Sequence, residues 1–449
     1  MTIPRVLIIA GSDSGGGAGI QADLKAVAAL GGHGMTAVTA LTAQNTQGVS
    51  GVHPVPLDFV RAQFESVAGD IGFDAVKTGM LHSADLVSLV AELLSGAQAP
   101  LVVDPVMVAK GGDRLLAADA VAALKQKLLP LATVITPNLD EAAELMGRPV
   151  KNRGQMAQAA RELVEMGAGA ALVKGGHLAE DPCDVLYDGD KLWEFAAPRI
   201  HTPHTHGTGC TLASSLAALL AAGWELAPAV GRARLLVRRA ILGGLAIGQG
   251  RGPVHAMADL EPRLMLGPCL AEMEAALSRL EDAPGLAHMI PEVRGQLGYA
   301  LPGAASFEEV IAVPGRITHL GDRLKAVGAP RPGASRHVAK IVLTACAADP
   351  AKRAAMALNF SEEIITRARN LGWRVAEFDR SREPAEIKAR EGSSLEWGTA
   401  SVIKKLGAVP EAIFDRGEVG KEPVFRILAR NPAEIVDMVL ALAGKEDRQ

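Results

Sequence analysis

His206-Gly207-Thr208-Gly209-Cys210-Thr211 runs without a break into the apolar stretch Leu212–Ala222. Glycines let backbone N–H groups point into one concavity, and a helix beginning there adds about half a positive charge. Such a cradle suits a triphosphate, or the charge that grows on a phosphoryl group in transfer. Cys210 stands at the helix start, where the dipole draws a thiol from about 8.5 toward neutrality. It is therefore a candidate general base. The apolar run from Leu212 to Trp224 is too short to cross a bilayer and predicts a buried helix.

Upstream, four more turns each follow a short apolar run. Val6–Ala10 leads into the glycine-rich Gly11–Gly19, Leu101–Val103 into Asp104-Pro105-Val106-Met107, Thr133–Ile135 into Thr136-Pro137-Asn138-Leu139-Asp140-Glu141, and Ala170–Val173 into Lys174-Gly175-Gly176-His177. Helical patterns fill the gaps at Ile20–Leu30, Asp85–Leu94, Ala118–Leu128 and Gly154–Met166. The alternation predicts an α/β fold whose largely parallel sheet is covered on both faces. Ligands of such sheets gather at the carboxyl ends of the strands, where these turns fall. Gly11–Gly19 is not a dinucleotide fingerprint: the GxGxxG register fails, no strand ending in an acid follows about twenty residues on, and no Walker A lysine is present. Asp104 ends a strand with a carboxylate. Asn138 and Glu141, one helical turn apart, suit Mg²⁺ or phosphate contacts through water, and Lys174 can meet a phosphate as a point charge. Each alone is ordinary cap or turn chemistry. At successive strand ends they point to a kinase.

The 449 residues are 49% hydrophobic and 21% charged, with a net charge of −4, enough for two or three domains with proper cores. Wholesale disorder is excluded. The near-neutral balance and 3% aromatic content remove the usual footprint for nucleic acid. Four scattered cysteines without a CxxC give neither a zinc site nor a disulfide framework. His201, His204 and His206 have no second acid or cysteine ligand nearby and are not read as a metal cluster. The opening MTIPRVLIIAGSDSGG lacks the basic region and cleavage site of a leader, so a soluble, cytoplasmic chain with no membrane segment is expected.

Near Glu261 the pattern changes. Leu270, Met273, Leu277 and Leu280 share one face of a helix over Cys269–Glu281, which Pro284-Gly285 breaks. The boundary is set near Leu264, giving domains 1–265 and 266–449. Beyond Pro291 the chain is again mixed α/β, with strands expected at Ile341–Ala345 and Val424–Leu428 and helices at Ala354–Leu371 and Pro432–Leu442. Arg316, His337, Arg353 and Lys421 lie in or beside polar, often glycine-bearing turns, a setting that suits an anionic ligand.

GSDSGGGAGIQADLK, LTAQNTQGV, KTGML, DPVM, TPNLDEA, VKGGH, HGTGCT and the terminal GQGRGPVH, in this order over about residues 5 to 260, resemble the hydroxymethylpyrimidine/phosphomethylpyrimidine kinase family, a ribokinase-like group. The resemblance implies a three-layer α/β/α kinase domain that uses ATP and Mg²⁺ to phosphorylate 4-amino-5-hydroxymethyl-2-methylpyrimidine twice. It also implies that Gln44 bonds the aminopyrimidine edge, with Gly11, Met80 and Val106 lining the pocket and Asp23 close by. Cys210 matches the family's base. Lys174, Asn138 and Glu141 match ATP and metal positions, with Asp104 a second metal candidate, Gly207, Thr208 and Gly209 on phosphate, and Lys110 in a flap above it. Relatives of this fold with an exposed sheet edge pair into homodimers. One departure is Pro203-His204, where the family carries Lys-Asn.

MIPEVRGQLGYALPGA, VPGRI, GASRHVAKIVL and RGEVGKEPVFRIL, over roughly 266 to 443, resemble the ThiN-type thiamine-phosphate synthase family. That implies a second, smaller α/β/α domain with a mixed sheet, joining the pyrimidine diphosphate to a thiazole phosphate. Arg316 and His337 match the arginine and histidine the family requires. Arg316 would clamp the departing diphosphate, with Arg353 and Lys421 as weaker candidates. The family's basic group is missing from Leu358-Asn359-Phe360-Ser361. Two alternatives stay open: a kinase with a non-catalytic, ligand-sensing second domain, and a pyridoxal kinase.

Overall fold

Val6, Leu7, Ile8, Ile9 and Ala10 are all 0% exposed, as a central parallel strand covered on both faces requires. The computed structural model describes residues 2–107, 118–384, 387, 393–418 and 421–444, which divide into two compact units, Met1–Asp259 and Leu260–Gln449.

In the first unit the apolar run lies in β1 (Arg5–Asp13), at the heart of a nine-stranded sheet. β2 (His33–Gln44) and β4 (Ala75–Thr78) flank it in parallel. β5 (Leu101–Val103), β6 (Val134–Ile135) and β7 (Ala171–Val173) continue the parallel order outward from β4. β3 (Val49–Pro54) pairs antiparallel with β2, and β8 (Cys183–Tyr187) and β9 (Leu192–Ala196) close the other edge antiparallel. Alternation along β1 sorts the layers. Leu7 and Ile9 join the cluster holding Leu86 and Val90 of helix Ala84–Leu94; Val6, Ile8 and Ala10 join the one holding Leu212, Leu216 and Leu219 of helix Thr208–Ala221. The carboxyl ends of β1, β4, β5, β6 and β7 therefore share one edge.

In the second unit the principal sheet runs β14-β11-β10-β15-β18-β17-β16. Its members are β10 (Gln296–Ala300), β11 (Val310–Ala312), β14 (Arg331–Pro332), β15 (Ala354–Asn359), β16 (Val375–Glu377), β17 (Ala412–Asp415) and β18 (Val424–Ala429). Only β16 and β17 pair in parallel; every other neighbouring pair is antiparallel. β12 (Ile317–Leu320) and β13 (Arg323–Ala326) form a separate ribbon. Helices Leu266–Asp282 and Pro432–Ala443 pack on one face, and helices Arg336–Ala348 and Ser393–Leu406 on the other.

Two expected elements are corrected here. Ile341–Ala345, read as a strand, lies inside helix Arg336–Ala348. A short apolar run looks alike in both states, but the buried set Val338, Ala339, Ile341, Val342 and Ala345 follows the helical period. Ala354–Leu371, read as one helix, is β15 followed by helix Glu362–Asn370. Alanine-rich Ala354–Asn359 has helical propensity, yet pairing with β10 and β18 makes it a central strand. Ser361 then caps the new helix by accepting from the Ile364 N–H at 3.1 Å.

Candidate active site

The two glycine-rich stretches of the first unit meet. Gly207 is the left-handed N-cap of helix Thr208–Ala221, with φ 83°, and a Cβ there would collide with the carbonyl of Gly17. Only glycine allows this approach. Asp13 ties the pair together: its carboxylate accepts from the N–H groups of Gly15 at 2.8 Å, Gly17 at 3.0 Å and Ala18 at 2.7 Å, and lies 3.2 Å from His206 Nε2. Burial pushes the Asp13 carboxyl up, but His206 and the Ala18 and Gly15 donors outweigh it and hold it below the usual range. The residues alone gave no role to Asp13. An acid two places into a glycine turn, where it can gather amides, was the available signal.

A cavity of about 1000 Å³ opens at this edge of the sheet. Gly11, Gln44, Met80, Val106, Asp104, Asn138, Glu141, Lys174, Gly207, Thr208, Gly209 and Cys210 all line it, so residues from far-apart turns converge on one space. Lys174 Nζ bonds Asp104 Oδ1 at 2.9 Å and lies 3.8 Å from Glu141 Oε2. Asn138 and Glu141 form a full capping box, Asn138 Oδ1 accepting from the Glu141 N–H at 2.9 Å and Glu141 Oε2 from the Asn138 N–H at 2.7 Å. Burial pushes Glu141 up to about 7, against the pull of Lys174, whose charge is spent mainly on the nearer Asp104. Gln44 touches His206 at 3.2 Å and accepts from Thr42 Oγ1 at 3.2 Å. His206 cannot donate to Asp13 and accept from Gln44 through the same nitrogen. Turning the Gln44 amide over lets its nitrogen donate to Thr42, and its oxygen then shares the single His206 Nε2–H with Asp13.

Two expectations change, and a third falls outside the described residues. Cys210 does line the cavity at the helix start, but its thiol is not drawn toward neutrality. Desolvation pushes it up to about 11, Lys77 pulls it down, and Asp23 and Asp104 push it up further. Burial thus outweighs the attraction of Lys77, and the thiol stands above its usual range rather than below it. Asp23 does not line the cavity: it is 0% exposed, both oxygens engage Lys77 Nζ at 3.0 and 2.8 Å, and Ser214 Oγ donates to it at 2.7 Å. Lys110 lies outside the described residues. Lys77, which the residues alone did not single out, is the counter-ion of Asp23. Burial would strip its proton, but Asp23 leads the carboxylates that hold it charged.

The second unit is organised otherwise. Arg316 follows β11 with a left-handed φ of 73°, and its guanidinium donates to the Val293 carbonyl. His337 follows Arg336, whose guanidinium stands 4.8 Å over the ring of Phe307, ahead of β11. The two candidates are both exposed and share no hydrogen bond among the described residues. Arg353 is corrected from ligand candidate to scaffold: its guanidinium donates to Tyr299 Oη at 2.7 Å and to the Ala300 carbonyl at 3.1 Å, while Tyr299 donates to Glu272 at 2.6 Å. Lys421 pairs with Glu418 at 2.8 Å on the surface, which leaves it a weak candidate. Asp415, fully buried, accepts from Arg380 at 2.6 Å and Arg426 at 2.7 Å and pins β17 to β18. Among the described residues no helix is long and apolar enough to cross a membrane.

Residues 13–255 match the family model described as phosphomethylpyrimidine kinase, and residues 272–441 the one described as thiamine-phosphate synthase ThiN. A hydroxymethylpyrimidine/phosphomethylpyrimidine kinase of Streptomyces coelicolor is 55% identical over 254 residues, 57% of this chain and 94% of that protein. The thiamine biosynthesis bifunctional protein ThiED of Geobacter sulfurreducens is 51% identical over 258 residues, 57% of this chain and 53% of that protein. An ADP complex of Bacillus subtilis pyridoxal kinase is 40% identical with a TM-score of 0.54, over 57% of this chain and 98% of that one.

Proposed function

The chain belongs to the phosphomethylpyrimidine kinase family, and from that premise we propose a bifunctional enzyme of thiamine biosynthesis. Its kinase, on residues 1–265, phosphorylates 4-amino-5-hydroxymethyl-2-methylpyrimidine and then the monophosphate, using ATP. Its synthase, on residues 266–449, condenses the diphosphate with thiazole phosphate to give thiamine phosphate and diphosphate. The observation that carries the reading is the convergence of Lys174, Asp104, Glu141, the Thr208 helix start and Cys210 on one cavity that also holds Gln44, Met80 and Val106.

The pyrimidine fits the apolar end, with the Gln44 amide toward its aminopyrimidine edge. Nucleotide phosphates fit the amides at Gly207, Thr208 and Gly209, with Lys174 as counter-charge. Asp104 and Glu141 face the cavity as two hard oxygen ligands, and among the described residues no group of three or more acids, histidines or cysteines could hold an ion. That donor set suits Mg²⁺, which takes one or two carboxylates and completes its shell with phosphate and water. Bound there, the ion would neutralise charge between phosphate oxygens.

Cys210 is the group that receives the hydroxyl proton in the first step. With burial pushing its thiol up to about 11, the thiolate is a minor species near neutrality. The loose transition state of phosphoryl transfer asks little of a base, so its contribution is modest. The monophosphate presents an oxygen that is already anionic and needs only positioning.

In the second unit, loss of diphosphate leaves a pyrimidine-stabilised methylene cation, and Arg316 is the cation suited to the departing charge. His337 serves the same reaction by a separate contact.

Product analysis of the full chain given pyrimidine alcohol, Mg-ATP and thiazole phosphate tests the whole reading; thiamine phosphate is expected. Accumulation of the pyrimidine diphosphate alone would leave the second unit a ligand sensor. A higher kcat/KM for pyridoxal than for the pyrimidine alcohol would overturn the kinase assignment in favour of the activity of the structural relative.

A further inference from the structure

Lys77 occupies an unusual place in the first unit. Its side chain is 0% exposed, yet it stands directly behind the cavity wall at Gly79, where a Cβ would come within 2.9 Å of Nζ. Both oxygens of Asp23 accept hydrogen bonds from the ammonium, at 3.0 and 2.8 Å, and Ser214 Oγ also donates to Asp23 at 2.7 Å. The arrangement joins helix Gly19–Ala29, β4 and helix Thr208–Ala221 beneath the space between Met80 and Cys210. Lys77 lines the cavity and Asp23 does not, so the positive end of the pair is the nearer one. The other lysine at the site, Lys174, already faces two carboxylates, Asp104 and Glu141.

A salt bridge buried this completely brings little net stability, since desolvating both ions offsets their attraction. Its orientation is the informative feature. On the proposed function, one acceptor end must take a neutral alcohol in one turnover and, in the next, a phosphate monoester carrying about −1.5 to −2. A fixed, buried cation at the cavity wall acts on the second acceptor and hardly on the first, and its low-dielectric surroundings transmit its field.

We propose that Lys77 is a positioning residue for the second phosphorylation: its buried ammonium, tethered and partly neutralised by Asp23, supplies the field that admits the monophosphate beside Cys210. The inference rests on the kinase reading and concerns only how one site serves two acceptors. Asp23 sets the strength of that field.

The test is the ratio of KM for the monophosphate to KM for the alcohol, measured at fixed Mg-ATP on the full chain. Lys77→Met should raise the ratio about tenfold. Asp23→Asn, which leaves the ammonium unneutralised, should lower it about threefold. The double variant Asp23→Asn/Lys77→Met removes both charges and should fall between wild type and Lys77→Met. A purely structural pair would move both KM values together, and in the same direction in both single variants; that result overturns the proposal. If either single variant fails to fold, the charge-neutral double variant decides, and a ratio equal to that of wild type overturns the proposal. Should the wild type turn over only one of the two acceptors, the kinase reading itself fails, and the two failures stay distinguishable.

Discussion

The two sheets of this chain carry similar turn chemistry and dispose of it differently. In Met1–Asp259, β1, β4, β5, β6 and β7 run parallel, so every turn after a carboxyl end falls on one edge. Asp104, Asn138, Lys174 and the loop at His206–Cys210 meet there, although they span more than a hundred positions of sequence. In Leu260–Gln449 the neighbours are mostly antiparallel, so successive turns alternate between the two ends. Arg316 and His337 share no hydrogen bond among the described residues, and Arg353 is consumed by Tyr299. Strand direction decides whether adjacent motifs become one site.

Lys174→Met is the hardest test of the parallel half. It removes the counter-charge for phosphate and strands Asp104 and Glu141. Kinase kcat/KM is expected to fall by about 10²–10³, while synthase turnover, assayed with supplied diphosphate, stays within about twofold of wild type. A matching loss of synthase activity would break the independence of the two sites.

The antiparallel half is tested by Arg316→Ala and His337→Ala in a double-mutant cycle on synthase kcat. Each single loss is expected at about tenfold or more, and the losses should multiply, because groups without shared partners add in free energy to within about 0.5 kcal/mol. Strong non-additivity would mean that the two act as one contact.

Cys210→Ala sharpens the account of the first site. A slowing of about tenfold is expected with the alcohol and little with the monophosphate, less than the 10²–10⁴ typical of a fully engaged general base. Equal slowing of both acceptors would remove the proton-accepting role.

The smallest effect is expected from Arg353→Ala. It should lower the stability of the second unit by about 1–3 kcal/mol in denaturant unfolding, through the lost bonds to Tyr299 and the Ala300 carbonyl. The synthase KM for the diphosphate should not move. A raised KM would return Arg353 to the ligand site.

Much of the first site was readable before folding. Glycine runs, strand-end polar residues and the helix after Cys210 are local signals whose spacing follows directly from the chain. The second unit was less readable. Ile341–Ala345 and Ala354–Asn359 exchange their expected states because apolar runs of five or six residues take their conformation from their neighbours. Lys77 escaped notice for a related reason, since its partner Asp23, 54 positions away, gives it meaning only in three dimensions, whereas Asp13 carried a local signal in its glycine turn.

The order of elements, the placement of glycine where only a left-handed or crowded backbone fits, and the set of residues able to bind phosphate were determined by the sequence. Periodicity and the absence of a side chain act over a few residues. Tertiary structure alone decided that burial pushes the Cys210 thiol up, that Lys77 rather than Asp23 lines the cavity, and that Arg353 bonds Tyr299. Those outcomes depend on desolvation and on charges brought together across 50 to 200 positions, terms that exist only once the core has closed.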